Sequence, residues 1–327
     1  MARVRAVASR DAPPRAAEVD RAKPPWSLPL PLTPREGIAP GVDLDDLARR
    51  GRLLVIHSVA HSGAGHIGGP LSAMDLLVAL FFRVLRVRPD ETDWPERDRF
   101  ILSKGHSAIG LYVVMALRGY FPVEELATFD SGDSRLQGHP DMTRLPGLEA
   151  STGSLGQGLA VGLGIALGAR MRGLGFHTFV MLGDGETQEG MIWESVMVAA
   201  KYGLGNLTAI VDCNGLQQYG WSLPPGEGGR GDRRDPLAGT RLGDALEAFG
   251  WRVLEIDGHD SEAIVAACED ARGAAPGRQP TAILATTVKG RGVSFTEGRF
   301  EWHARVATPD EVAAARLELG LTDEAGS

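Results

Sequence analysis

Two segments carry the residues best suited to chemistry. The apolar run Phe179–Leu182 leads into Gly183-Asp184-Gly185, and Leu207–Val211 leads into Asp212-Cys213-Asn214-Gly215. In each, a run suited to a buried strand ends in a polar group beside glycine, which lets the backbone turn sharply and approach a ligand. The Asp184 carboxylate, the Asn214 amide oxygen and nearby backbone carbonyls are hard oxygen donors. They suit Mg²⁺ or Ca²⁺ bridging a diphosphate. Asp184 and Asn214 lie 30 positions apart, the length of a strand–helix–strand unit that sets two strand ends side by side. A lone Gly-Asp-Gly is usually only a turn; the asparagine at this spacing favours a site.

Gly63-Ala64-Gly65-His66-Ile67-Gly68 fits the dinucleotide fingerprint G-x-G-x-x-G. That fingerprint needs a strand directly before its first glycine. Here the preceding residues carry helical periodicity, and His66 would crowd a pyrophosphate, so a nucleotide-binding reading is rejected.

The surrounding pattern supplies the elements that must position these groups. Leu44, Leu47, Leu54 and Val55 fall on one helical face, with Asp45 and Asp46 in the first turn. Further helices are expected near 71–85, 106–118, 155–172, 190–203, 240–249, 261–273 and 309–318. Thr178–Leu182, Leu207–Val211, Arg252–Ile256 and Ala282–Val288 are expected strands. Strands alternating with helices predict an α/β fold, a parallel sheet with helices on both faces. Ligands of such sheets bind beyond the strands' carboxyl ends, where Asp184 and Asn214 stand. The helix over Gly156–Gly173 carries Gly158, Gly162, Gly164 and Gly168, each costing roughly 1 kcal/mol of helix propensity relative to Ala. That cost suggests close helix contact, as at a subunit interface. The helix start, at Ser154–Gly156, would also offer free amides to an anion.

The bulk properties bound the function class. The 327 residues suffice for a large core, and a net charge of −8 offers no basic surface to nucleic acid. Two cysteines, Cys213 and Cys268, suit a reducing compartment. No apolar run is long enough to span a membrane, and the first ten residues lack a secretory signal's apolar stretch. A cytoplasmic protein is expected. Residues 1–40 carry eight prolines, which exclude regular structure; an extended arm, docked by Trp26, is expected ahead of a domain spanning 41–327. The loop Gly215–Gly239 is rich in Gly, Pro and Arg. Its Arg230, Arg233 and Arg234 could meet a phosphate, a partner or solvent.

Several segments, in order, resemble the transketolase family. Gly183-Asp184-Gly185-Glu186-Thr187-Gln188-Glu189-Gly190 through Asp212-Cys213-Asn214-Gly215-Leu216 looks like its thiamine diphosphate motif. Ser62–Pro70 is similar to the family's Ser-Gly-His-Pro-Gly segment, and Leu102-Ser103-Lys104-Gly105-His106 to its Leu-Ser-x-Gly-His segment. Gly138-His139-Pro140 matches the Gly-His-Pro turn, and Gly153-Ser154-Leu155-Gly156-Gln157-Gly158 the Gly-x-Leu-Gly-Gln-Gly segment. Val288-Lys289-Gly290-Arg291-Gly292, followed by Trp302-His303, resembles the family's last active-site stretch.

The resemblance implies roles residue by residue. Asp184 and Asn214 would ligate the metal through side chains, and Leu216 through its carbonyl. Gly183 and Gly185 would lie close to the diphosphate, and Gly153, Ser154 and Leu155 would line the cofactor pocket. His66 and His303 are expected to hydrogen-bond diphosphate oxygens and the substrate carbonyl, His106 to belong to the same cluster, and His139 to move protons above the thiazolium. Imidazole suits these tasks because it can give and take a proton near neutral pH. Glu189 resembles a carboxylate in a network linking two cofactor sites. His57, His61, His177 and His259 lie outside the family's histidine positions and are expected to be structural.

The implied activity is transfer of a two-carbon ketol unit from a ketose to an aldehyde through thiamine diphosphate. Family members carry a further domain that holds the aminopyrimidine and supplies a glutamate to its ring nitrogen. Its absence here predicts one subunit of a split enzyme, a heterotetramer with a pyrimidine-domain partner, inactive alone. Two departures bear on substrate. Where split members usually carry Gln-Ile-Asp-Gly, this chain has Gln217-Gln218-Tyr219-Gly220, putting a polar side chain where an apolar one would face the cofactor ring. The loop 221–236 is also longer and more basic than usual. A specialised pathway with an unusual acceptor therefore stays open. The alternatives are the alpha subunit of a 2-oxoacid dehydrogenase, which lacks this histidine pattern, and a degenerate scaffold subunit.

Overall fold

Alternation along the strands sorts the core into two layers. Phe100, Leu102, Phe179, Met181, Ile210, Ile283 and Ala285 pack on one side of the sheet. Their neighbours Ile101, Val180, Leu182, Ala209, Val211, Ala282 and Leu284 pack on the other. Successive strand side chains point to opposite faces, so a sheet apolar on both faces must be covered on both. The computed structural model describes residues 41–218, 240–273 and 278–321. The expected arm over 1–40, Tyr219 and the arginines of the long loop lie outside those residues.

Five parallel strands form the sheet: β1 (Arg99–Leu102), β2 (Thr178–Gly183), β3 (Leu207–Cys213), β4 (Arg252–Asp257) and β5 (Thr281–Thr286), in the order β1-β2-β3-β5-β4. The parallel α/β expectation holds. The sequence pattern did not disclose β1, a four-residue strand between charged residues. β5 is shorter than expected: it ends at Thr286, because the Thr287 hydroxyl turns to donate to buried Asp212.

On one face lie α1 (Leu44–Ser62), α2 (Gly68–Ser72), α3 (Met74–Ala79), α4 (Ala108–Arg118), α8 (Ser261–Arg272) and α9 (Pro309–Glu318). On the other lie α5 (Gln157–Arg172), α6 (Gly190–Tyr202) and α7 (Thr240–Ala248). α1 begins where Asp43 caps the Asp46 N–H and ends at Gly63 in the left-handed region. The single helix expected near 71–85 is divided into α2, α3 and a wider turn over Leu80–Val84. Ser72 is the cause at the first break. Its hydroxyl lies 3.0 Å from the Gly69 carbonyl and 2.6 Å from Asp212, and such side-chain bonds bend a helix.

Gly158 and Gly162 press α5 against the sheet, where an added Cβ would stand 2.4 Å from Ser103 and Val180 respectively. Gly164 and Gly168 face open space. Beside them Val161, Met171, Met197, Val198 and Tyr202 of α5 and α6 are exposed. Among the described residues no helix is long and apolar enough to cross a membrane.

Candidate active site

The register of the sheet brings the candidate groups together at the carboxyl ends of its strands. Gly183 pairs with Asp212, and Asp212 with Ala285, so Asp184, Asn214 and the segment after β5 emerge together. β1 ends one strand away, where Ser103 N–H donates to the Met181 carbonyl.

Asp184 is held by two backbone amides: Gly185 N–H donates at 2.8 Å and Gly215 N–H at 2.6 Å. Burial, and then the charge of Asp212, push its carboxyl up to about 6. Asn214 donates its amide to Asp212 Oδ2 at 3.1 Å, while its Oδ1 accepts the Leu216 N–H at 3.1 Å. That assignment turns the amide oxygen away from Asp212. The Leu216 carbonyl accepts from the Lys289 ammonium at 3.1 Å. No three His, Cys, Asp or Glu side chains group to hold a metal among the described residues. The available set is mixed: one carboxylate, one amide oxygen and one carbonyl.

Beneath these groups lies a buried ion pair, Lys104 with Asp212. Asp212 is fully enclosed and also accepts from Ser72 and Thr287. Burial alone would raise its carboxyl, but the adjacent Lys104 ammonium keeps it below the usual range. Lys289 is likewise buried, and loss of solvent followed by repulsion from Lys104 lowers its ammonium to about 8. Glu186, also buried, accepts from Ser103 at 2.5 Å, Gly156 N–H at 2.8 Å and Gly183 N–H at 3.1 Å. One carboxylate thus fastens the Asp184 turn to β1 and to the start of α5. Asp212 could have been found from its place at a strand end. Lys104, Glu186 and Lys289 lie inside the segments quoted above, but nothing in their spacing marks them out.

The four histidines come from separate segments and meet in space. Ring centroids lie 5.3 Å apart for His66 and His106, 5.1 Å for His66 and His303, 5.0 Å for His106 and His303, and 6.1 Å for His66 and His139. Close backbone approach makes this possible: a Cβ on Gly105 would stand 2.7 Å from the Gly153 nitrogen. Tyr112 of α4 donates to the His139 carbonyl at 3.2 Å. Burial, then Lys104, pushes His106 down to about 2; burial, then Lys289, takes His303 to about 3; burial, then His139, lowers His66. These three rings are neutral at neutral pH in this structure.

Gly153, which packs against the His139 ring, and Leu155 are partly buried, whereas Ser154 is exposed. Glu189 is also exposed and abuts Gly156, which has a φ of +82° and no room for a Cβ. Gln218 is exposed rather than enclosed, so it needs no internal partner. His177 and His259 lie apart from the cluster: His177 bonds Thr208 at 2.8 Å, and His259 bonds Asp75 at 2.6 Å.

Residues 44–326 match the family model for the transketolase thiamine diphosphate binding domain. A 6-deoxy-6-sulfo-D-fructose transketolase subunit of Clostridium sp. (strain MSTE9) is 40% identical over 278 residues, spanning 85% of this chain and 96% of that protein. An apulose-4-phosphate transketolase subunit of Actinobacillus succinogenes is 40% identical over 272 residues, spanning 83% and 93%. A transketolase structure from Pichia stipitis superposes with a TM-score of 0.77 at 31% identity, over 86% of this chain and 42% of that one. One from Campylobacter jejuni gives 0.75 at 30%, over 85% and 42%. The chain thus spans about two fifths of those solved transketolases, and nearly all of the two subunits. It belongs to the transketolase family, matching its thiamine diphosphate binding domain.

Proposed function

We propose that this chain is the diphosphate-binding subunit of a two-part transketolase. It takes part in transfer of a two-carbon ketol unit from a ketose donor to an aldehyde acceptor. The observation that carries the reading is the meeting of Asp184, Asn214, the Leu216 carbonyl and Lys289 with four histidines at the carboxyl ends of the strands. Both relatives named above are subunits whose substrates bear an anionic group, a sulfonate or a phosphate. An anionic ketose is the substrate class we assign.

The donor set fits a hard divalent cation, Mg²⁺ or Ca²⁺, through Asp184, Asn214 and the Leu216 carbonyl. The Leu216 carbonyl already accepts from the Lys289 ammonium, so its oxygen is oriented as a donor toward a cation. Thiamine diphosphate, when bound, supplies a carbon that adds to the ketose carbonyl and carries the two-carbon fragment.

The chain's own residues bind and steer. Lys289 and the Gly183-Asp184-Gly185 turn face the diphosphate, and Gly153, Ser154 and Leu155 line the pocket. His66, His106 and His303 offer neutral imidazoles to substrate oxygens, donating hydrogen bonds where negative charge develops. His139, at the rim, takes and returns substrate hydroxyl protons.

The aminopyrimidine end belongs to a separate pyrimidine-domain subunit, which supplies the activating glutamate. Self-association through the exposed face of α5 and α6 completes a heterotetramer. There Glu189, exposed in one copy, joins the network between two cofactor sites. Asp184→Ala in the reassembled enzyme is the direct test of the site. Loss of both cofactor binding and ketol transfer is expected; retention of either contradicts the reading.

A further inference from the structure

His259 stands apart from the four-histidine cluster, yet its hydrogen bonds lead into the site. Its Nε2 accepts the Val288 N–H at 2.9 Å, and its Nδ1 lies 2.6 Å from Asp75 Oδ2. An imidazole that accepts at Nε2 carries its proton on Nδ1, so Asp75 fixes the tautomer. Asp75 is itself locked. Arg52 donates to the same carboxylate within a buried ion pair, and Arg52 Nε also donates to the Leu71 carbonyl. Burial would raise the Asp75 carboxyl, but His259 and Arg52 outweigh it and keep it ionised.

The segment receiving this bond is the one that delivers Lys289. After β5 ends at Thr286, Thr287 N–H donates to the Cys213 carbonyl at 3.3 Å, and its hydroxyl donates to Asp212. Val288 N–H is held by His259. The next residue, Lys289, then reaches the Leu216 carbonyl at 3.1 Å, the Gln217 carbonyl at 3.4 Å and His303 Nδ1 at 3.0 Å. A loop that merely needed closing could satisfy Val288 with water. Here a partly buried His259, backed by the buried Asp75–Arg52 ion pair and drawn with it from the turn after β4, α3 and α1, fixes the backbone one residue before the ammonium.

We infer that Asp75 and His259 are a positioning pair for Lys289, setting how well its ammonium meets the diphosphate. The inference rests on the cofactor reading above. Gln at 259 can place an acceptor near the Nε2 position; Phe fills the space without one.

The test is a double-mutant cycle on the full chain assembled with its pyrimidine-domain subunit, reading the Kd for thiamine diphosphate in saturating Mg²⁺. His259→Phe is expected to weaken binding about tenfold, the scale of one hydrogen bond, and His259→Gln by about threefold or less. In a Lys289→Met background, His259→Phe should add under about twofold, since coupled residues are not additive. Asp75→Asn, which keeps the side-chain shape, provides the same reading if His259→Phe fails to fold. Equal losses in both backgrounds, or Gln no better than Phe, overturn the pair's role while leaving the cofactor reading intact. An assembled wild type that binds no thiamine diphosphate overturns both.

Discussion

Lys289 places its ammonium 3.1 Å from the Leu216 carbonyl and 3.0 Å from Nδ1 of His303. One side chain thereby joins the oxygen-donor loop to the histidine cluster. It also fixes His303: a nitrogen that accepts from an ammonium leaves the ring proton on Nε2.

Replacing that ammonium should be felt first in cofactor affinity. Lys289→Met keeps much of the buried stem but removes the charge, and a charge-assisted hydrogen bond is worth about 1.5–3 kcal/mol. The Kd for thiamine diphosphate in the assembled enzyme should rise by about ten- to a hundredfold. Titration by calorimetry checks it, and an unchanged Kd would remove Lys289 from the site.

His177 predicts how stability responds to acid. It is 4% exposed and bonded to Thr208, and burial, then the charge of Arg272, holds its imidazole down to about 3. An unfolded histidine takes its proton near 6.5, so the unfolded state binds more protons between about 6.5 and 3. The contribution is complete above about pH 6.5 and is lost as pH falls, at about 1.4 kcal/mol per pH unit. Urea unfolding at pH 7 and pH 5 should give His177→Gln a smaller acid penalty than wild type, by about 2 kcal/mol. Equal penalties would show that His177 titrates normally in the fold.

The two open glycines of α5 separate folding from assembly. A Cβ at Gly164 or Gly168 meets nothing within 4 Å, so Ala at either should stabilise the isolated chain by up to about 1 kcal/mol. A bulky Gly168→Leu should instead block close approach of a second copy, and light scattering would record the loss of association. If Gly168→Leu assembles as wild type does, the α5–α6 face is not the contact between copies.

Much of this architecture was legible in the residues, for identifiable reasons. β2, β3, β4 and β5 are apolar or alternating runs that end in turn residues, and their parallel order follows from the helices between them. Asp184 and Asn214 stand out because polar groups among glycines end two such runs. β1 stayed hidden because Arg99-Phe100-Ile101-Leu102 is short and flanked by charge. The helix expected near 71–85 breaks because Ser72 bonds a residue 140 positions away. The Lys104–Asp212 pair spans 108 positions and the Lys289–Leu216 contact 73, so neither has a local signature. The four histidines were singled out by family resemblance alone; they come from segments far apart in the chain, and Gly105, beside His106, leaves room for the approach of Gly153, which packs on His139.

Ketol transfer from an anionic ketose, measured with this chain and a pyrimidine-domain subunit separately and together, decides whether the active site is divided between two chains. With thiamine diphosphate and Mg²⁺ present, each chain by itself should be silent and the mixture active, with Asp184→Ala returning it to background. Turnover by this chain alone, or an active mixture carrying Asp184→Ala, would contradict the account.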